Sequence, residues 1–74
     1  MNIETLRLFV TVPNEVSFSA AARKAYITPS AVVQRMHALE NEIGVPLFLK
    51  SVSGIQLTNA GEIFLAGVKD SLQS

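Results

Sequence analysis

Arg23, Lys24 and Arg35 are the only charged residues in a stretch from Val16 to Leu39 that contains no aspartate or glutamate. None of them has an acidic partner three or four residues away along its own helix, and unpaired bases of this kind suit phosphate oxygens. Ser30, Gln34 and His37 follow one another at intervals of four and three, the spacing that sets polar side chains on one face of a helix. A hydroxyl and a carboxamide placed there can both donate and accept, which is the chemistry that reads base edges. Other chemistries have less to work with. His37 is the sole histidine and falls on an exposed helix face, so a general base is not expected. There is no cysteine, which removes disulfides, thiolate ligands and thiol nucleophiles. No glycine-rich phosphate loop occurs, and no His/Asp/Glu group has metal-ligand spacing, so neither a metal nor another cofactor is expected and the chain does not read as an enzyme.

The six bases and six acids of the 74 residues cancel, which by itself argues against a nucleic-acid binder. Their distribution argues otherwise. Residues 1–15 set Glu4 and Glu15 against Arg7, and residues 40–74 set Glu40, Glu42, Glu62 and Asp70 against Lys50 and Lys69. Both flanks are net acidic and the middle is net basic. A chain of this length, 49% apolar, makes one small domain with a modest core. No apolar run approaches the roughly 20 residues of a membrane helix, and Met1-Asn2-Ile3-Glu4 is no signal peptide, so a soluble, cytoplasmic location is expected.

The elements that would position these side chains are helices with clear punctuation. The first is expected from about Ile3 to Val12, capped by Asn2, with Ile3, Leu6, Phe9 and Val10 on one face and Pro13-Asn14 as its stop. Ser17 caps a second helix carrying Phe18, Ala21, Ala22 and Ala25, whose alanines let another helix approach closely or simply favour helix. Thr28-Pro29 opens a third helix: threonine accepts from a free backbone N–H, and proline suits the first helical position because it has none. That helix runs to Ile43 and ends at Gly44, with Pro46 beyond. Val32, Met36, Leu39 and Ile43 share the core stripe, Ser30, Gln34, His37 and Asn41 the opposite face, and Val33 lies on the flank. Leu47–Lys50 and Ile55–Thr58 read as two short strands around a loop containing Gly54. Thr58 caps a last helix, which Gly61 and Gly67 weaken.

Two helices joined by a tight turn, the second with a polar outer face, form the helix-turn-helix arrangement, whose second helix fits the major groove. A hairpin after it makes a wing, with Lys50 and the Ser53-Gly54 tip against the sugar-phosphate backbone or the minor groove. Arg35 has a structural alternative, a stem lying over the core edge with its head in water. Glu40 and Glu42 stand near a helix C-terminus, where the macrodipole disfavours acids; a cationic neighbour from another segment would explain them.

Three blocks, SFSAAARKAYITPSAV, LENEIGVPLF and GIQLTNAGE, occur in succession over essentially the whole chain. Together they resemble the N-terminal domain of LysR-type transcriptional regulators. The resemblance implies a mainly α fold, a winged helix-turn-helix of three helices and a two-stranded wing over residues 1–58, with the helix-turn-helix at about 18–37. A linker helix would start at 59–74 and pair with its copy in a homodimer. It also implies a separate effector-binding domain, which is not contained in these 74 residues. The partner implied is double-stranded DNA, met by Ser17, Arg23, Lys24, Thr28, Pro29, Ser30, Val33, Gln34, Arg35 and His37 of the helices and by Lys50, Ser53 and Gly54 of the wing. Phe64, Val68 and Leu72, four residues apart, form the expected dimer stripe.

The sequence also departs from that pattern. The family usually has Gln at the position of Pro29, Ser at Val33, a basic residue at Gln34 and Arg at Ser53. Gln34 can instead read adenine bidentately, and Val33 or Pro29 can touch a thymine methyl. The alternative function is a winged-helix module that binds protein through the Val32-Val33 region and the last helix, a reading that zero net charge favours.

Overall fold

The computed structural model describes residues 1–49 and 54–73. Helix α1 spans Ile3–Thr11 and is followed by a 3₁₀ turn, Val12–Asn14; α2 spans Phe18–Ala25 and α3 Pro29–Ile43. Strands β1, Phe48–Leu49, and β2, Gln56–Leu57, pair antiparallel with Phe48 opposite Leu57 and Leu49 opposite Gln56, and α4 covers Asn59–Gln73. The three helices, the two-stranded wing and the C-terminal helix of the expected winged helix-turn-helix are all present, in that order.

Capping fixes where the helices begin. Asn2 Oδ1 accepts from the Thr5 N–H at 2.8 Å, Ser17 Oγ from the Ala20 N–H at 3.0 Å, Thr28 Oγ1 from the Ala31 N–H at 3.1 Å and Thr58 Oγ1 from the Gly61 N–H at 2.9 Å. Each satisfies a donor the helix itself leaves open, worth about 1 kcal/mol. Gly44 closes α3 at φ 92°, donating to Glu40 O at 2.7 Å, a left-handed conformation that glycine adopts without strain.

The core is built from Leu8, Phe9 and Val12 of the first helical segment, Ala21 and Ala22 of α2, Val32, Met36 and Leu39 of α3, and Leu47. Ala21 and Ala22 are fully covered, and α2 packs against α3. The four phenylalanines link the elements: Phe64 meets Phe9 in a tilted contact at 5.3 Å, and Phe9 meets Phe48 at 5.6 Å and Phe48 meets Phe18 at 5.7 Å edge to face, measured between ring centroids. This chain of rings joins α4, α1, the wing and α2. On α1 the expected face is rotated, because Ile3 is exposed and Leu8 is buried in its place. Gly61 is buried where α4 crosses Leu47; a Cβ there would stand 2.2 Å from Leu47 O. It permits close approach rather than merely weakening the helix.

Candidate nucleic-acid interface

The turn between α2 and α3 is short because both ends are fixed. The Ile27 N–H donates to Ala22 O at 3.0 Å as α2 closes, and one residue later Thr28 caps α3. With Val32, Met36 and Leu39 at 0, 1 and 2% exposure, the rotation of α3 about its axis is set. Pro29, Ser30, Gln34, Arg35 and His37 are then all exposed, and Val33 is 37% exposed on the flank. No hydrogen bond or ion pair within the described residues engages the Ser30, Gln34, Arg35 or His37 side chains. The side chains expected to read bases are thus together on one surface and free to do so.

Ser17 and Thr28 use their oxygens as acceptors in the caps, and each hydroxyl keeps an O–H for an external acceptor. Arg23 and Lys24 are exposed in the last turn of α2. Lys24 is not unpaired, as its helix alone suggests: Nζ lies 3.7 Å from Glu15 Oε2, an acid from the preceding loop. The Lys24 side chain is 68% exposed, so the pair is weakly held and a phosphate can compete for the ammonium. Arg23 and Arg35 have no salt bridge among the described residues.

The wing is tied to α3 by a residue that sequence reasoning left without a role. Glu40 Oε2 accepts from the Leu47 N–H at 2.7 Å and the Phe48 N–H at 3.2 Å. Two backbone donors, not a cation, therefore account for an acid near the end of α3. Glu42 does meet a cation, the Met1 ammonium. The only sequence signal for either contact is the acids' unfavourable place against the helix dipole. Thr58 completes the root of the wing, its N–H donating to Leu47 O at 3.0 Å and its hydroxyl to Pro46 O at 2.8 Å. Gly54, at φ 124°, brings the wing beside Val16. Lys50 and Ser53, expected at the wing tip, lie outside the described residues.

Between α3 and the wing runs an open groove of about 860 Å³, whose walls include Phe18, Val33, Met36, His37, Phe48 and Ile55. Glu40 is the one carboxylate lining it, and that carboxylate is engaged by the wing backbone. Among the described residues no group of three or more His, Asp or Glu side chains is placed to hold a metal ion.

Residues 3–62 match the family model described as the bacterial regulatory helix-turn-helix protein, lysR family. The chain belongs to this family. It is 41% identical over 73 residues to the HTH-type transcriptional regulator TfdS of Cupriavidus pinatubonensis (strain JMP 134 / LMG 1197), a match that covers 99% of this chain and 25% of TfdS. It is 43% identical over 65 residues to HdfR of Salmonella newport (strain SL254), covering 88% of this chain and 23% of HdfR. This LysR-family chain therefore spans about a quarter of the length of those regulators. Among solved structures it superposes on the CbnR_DBD–DNA complex with a TM-score of 0.91 at 33% identity, over 99% of this chain and 84% of that one. The BenM_DBD/catB site 1 DNA complex gives 0.92 at 30% identity, over 99% and 78%.

The three residues of the expected dimer stripe on the C-terminal helix of this LysR-type domain differ in their surroundings. Phe64 packs its ring against Phe9, Val68 is 6% exposed and Leu72 is half-buried. Within the single chain the Phe64 end of that stripe therefore meets α1, and Val68 is covered as well. The large apolar side chain left outside on α4 is Ile63, 75% exposed. No helix among the described residues is long and apolar enough to cross a membrane.

Proposed function

We propose that this LysR-type winged helix-turn-helix DNA-binding domain recognises a specific double-stranded DNA sequence by placing the first half of α3 in the major groove. The observation that carries this reading is the outer face of α3, where Ser30, Gln34 and His37, with Val33 on the flank, are exposed and have no structural task while Val32, Met36 and Leu39 of the inner face are buried. Two of the structures it superposes on are DNA complexes, which supports DNA as the partner. Gln34 is the base-reading side chain, matching adenine N6 and N7, and Val33 or Pro29 touches a thymine methyl. Arg23, Lys24 and Arg35 hold phosphates, helped by the Ser17 and Thr28 hydroxyls and by the wing through Lys50, Ser53 and Gly54. Residues 1–58 form the reading domain and α4 begins a linker.

The domain works as a homodimer, so that two copies of α3 meet successive half-sites of a pseudo-palindrome. With Phe64 and Val68 turned inward, the α4 contact falls on the outer face around Ile63, Ala66 and Gly67, which are exposed. Its role is regulatory rather than catalytic, in the bacterial cytoplasm where the chromosome lies, and an effector-binding domain of a longer parent chain would govern it. Selection of bound duplexes from a random pool tests the reading. An inverted repeat enriched over successive rounds is expected, and a final pool indistinguishable from the input would remove it.

A further inference from the structure

Tyr26 is the one non-glycine residue at positive φ among the described residues, at φ 59° and ψ 39°. It closes α2 by donating its backbone N–H to Ala22 O and Arg23 O. Glycine or asparagine ordinarily fills such a left-handed closing position, because a side chain there crowds its own carbonyl. The strain is not offset by packing. The Tyr26 side chain is 94% exposed, more than any other large apolar or aromatic side chain described, and it makes no hydrogen bond or ring contact there. Its ring and hydroxyl therefore stand in solvent, open to contact from outside the domain.

The position in the fold says what. Tyr26 stands two residues before the Thr28 cap and directly after the exposed Arg23 and Lys24 turn of α2. When the N-terminal end of a recognition helix enters a major groove, the helix before it crosses the sugar-phosphate backbone, and Tyr26 closes that preceding helix. A tyrosine hydroxyl is among the groups that donate to phosphate oxygens.

We infer that Tyr26 is a backbone anchor, its phenol O–H donating to a phosphate oxygen beside the groove that α3 enters. The inference rests on the DNA-binding reading above. A neutral donor releases no counterion, so this contact adds affinity for every sequence without steepening the salt dependence, unlike an arginine or lysine. Tyr26→Phe and Tyr26→Gly are the variants, titrated against a selected duplex and an unrelated one over a salt series. Both are expected to bind about tenfold more weakly to both duplexes, the worth of a modest hydrogen bond to a charged group, with the wild-type salt slope. Tyr26→Gly is expected to melt no lower than wild type, because glycine relieves the positive φ. That separates lost binding from lost folding. Tyr26→Phe within twofold of wild type on both duplexes would overturn the anchor while leaving the DNA-binding reading intact. A loss confined to the selected duplex would also overturn it, in favour of a base contact. A wild type that binds neither duplex would remove both.

Discussion

Two glycines of the same helix are expected to respond to alanine in opposite directions. A Cβ on Gly67 meets nothing within 4 Å, and the residue is exposed in the helical interior. Gly67→Ala should therefore gain up to about 1 kcal/mol, from helix propensity and a less free unfolded chain. A Cβ on Gly61 would lie 2.2 Å from Leu47 O, 3.1 Å from its carbonyl carbon and 3.3 Å from its Cα. All three are backbone atoms, and Leu47 O also accepts from the Thr58 N–H, so the strand root cannot retreat without loosening the cap of α4. Overpacking of this kind costs about 1–3 kcal/mol, more than the propensity gained. In a domain of this size 1 kcal/mol moves the melting temperature by about 4–8 °C, so Gly67→Ala should rise by about 4 °C and Gly61→Ala fall by about 10 °C. Circular dichroism melts and urea titrations at one protein concentration read both. A Gly61→Ala protein as stable as wild type would refute the close crossing of α4 over Leu47.

Further consequences follow for the wing, the reading helix and the dimer. Glu40→Ala leaves the half-buried Leu47 and Phe48 N–H groups without their acceptor, so a loss of about 2–3 kcal/mol in urea unfolding is expected, with Glu40→Gln losing less; a change below about 0.5 kcal/mol would mean the carboxylate does not hold the wing. Gln34→Ala should cost about 1–3 kcal/mol on the preferred duplex only, whereas Arg35→Ala should weaken all duplexes alike and make the salt slope shallower by about one. The reverse pattern would mean that the two side chains have exchanged roles. Ile63→Asp should shift a monomer–dimer equilibrium towards monomer without lowering the melting temperature, while Val68→Asp should unfold the domain by placing a charge in its core; sedimentation equilibrium and melts together decide this, and an intact Ile63→Asp dimer would place the contact elsewhere.

Local chemistry carried most of the fold. The Asn2, Ser17, Thr28 and Thr58 caps, the Pro29 start and the Gly44 stop each depend on atoms within a few residues, and each is where the sequence places it. The orientation of α3 was legible for the same reason, since the Val32, Met36 and Leu39 stripe is a local period. What local chemistry does not reach are contacts made across the chain. Helical spacing shows that Phe64 and Val68 share a face, but not whether that face meets α1 or a second copy. Lys24 looked unpaired because its acid, Glu15, is in the loop before its helix. Glu40 was legible only as an anomaly, because the donors that answer it belong to a strand seven and eight residues on. Gly61 looked like a weakness because the backbone it must clear is far along the chain from it.

The most direct test of sequence reading by α3 is a titration of the wild-type chain against its selected duplex and a scrambled duplex of equal length over a salt series. At least about a tenfold preference for the selected duplex is predicted at every salt concentration, together with a log–log slope of about −3 to −4 per protomer from four basic side chains. Equal affinity for the two duplexes would contradict base reading by α3, and a per-protomer slope steeper than about −6 would contradict the assignment of the phosphate contacts to Arg23, Lys24, Arg35 and Lys50.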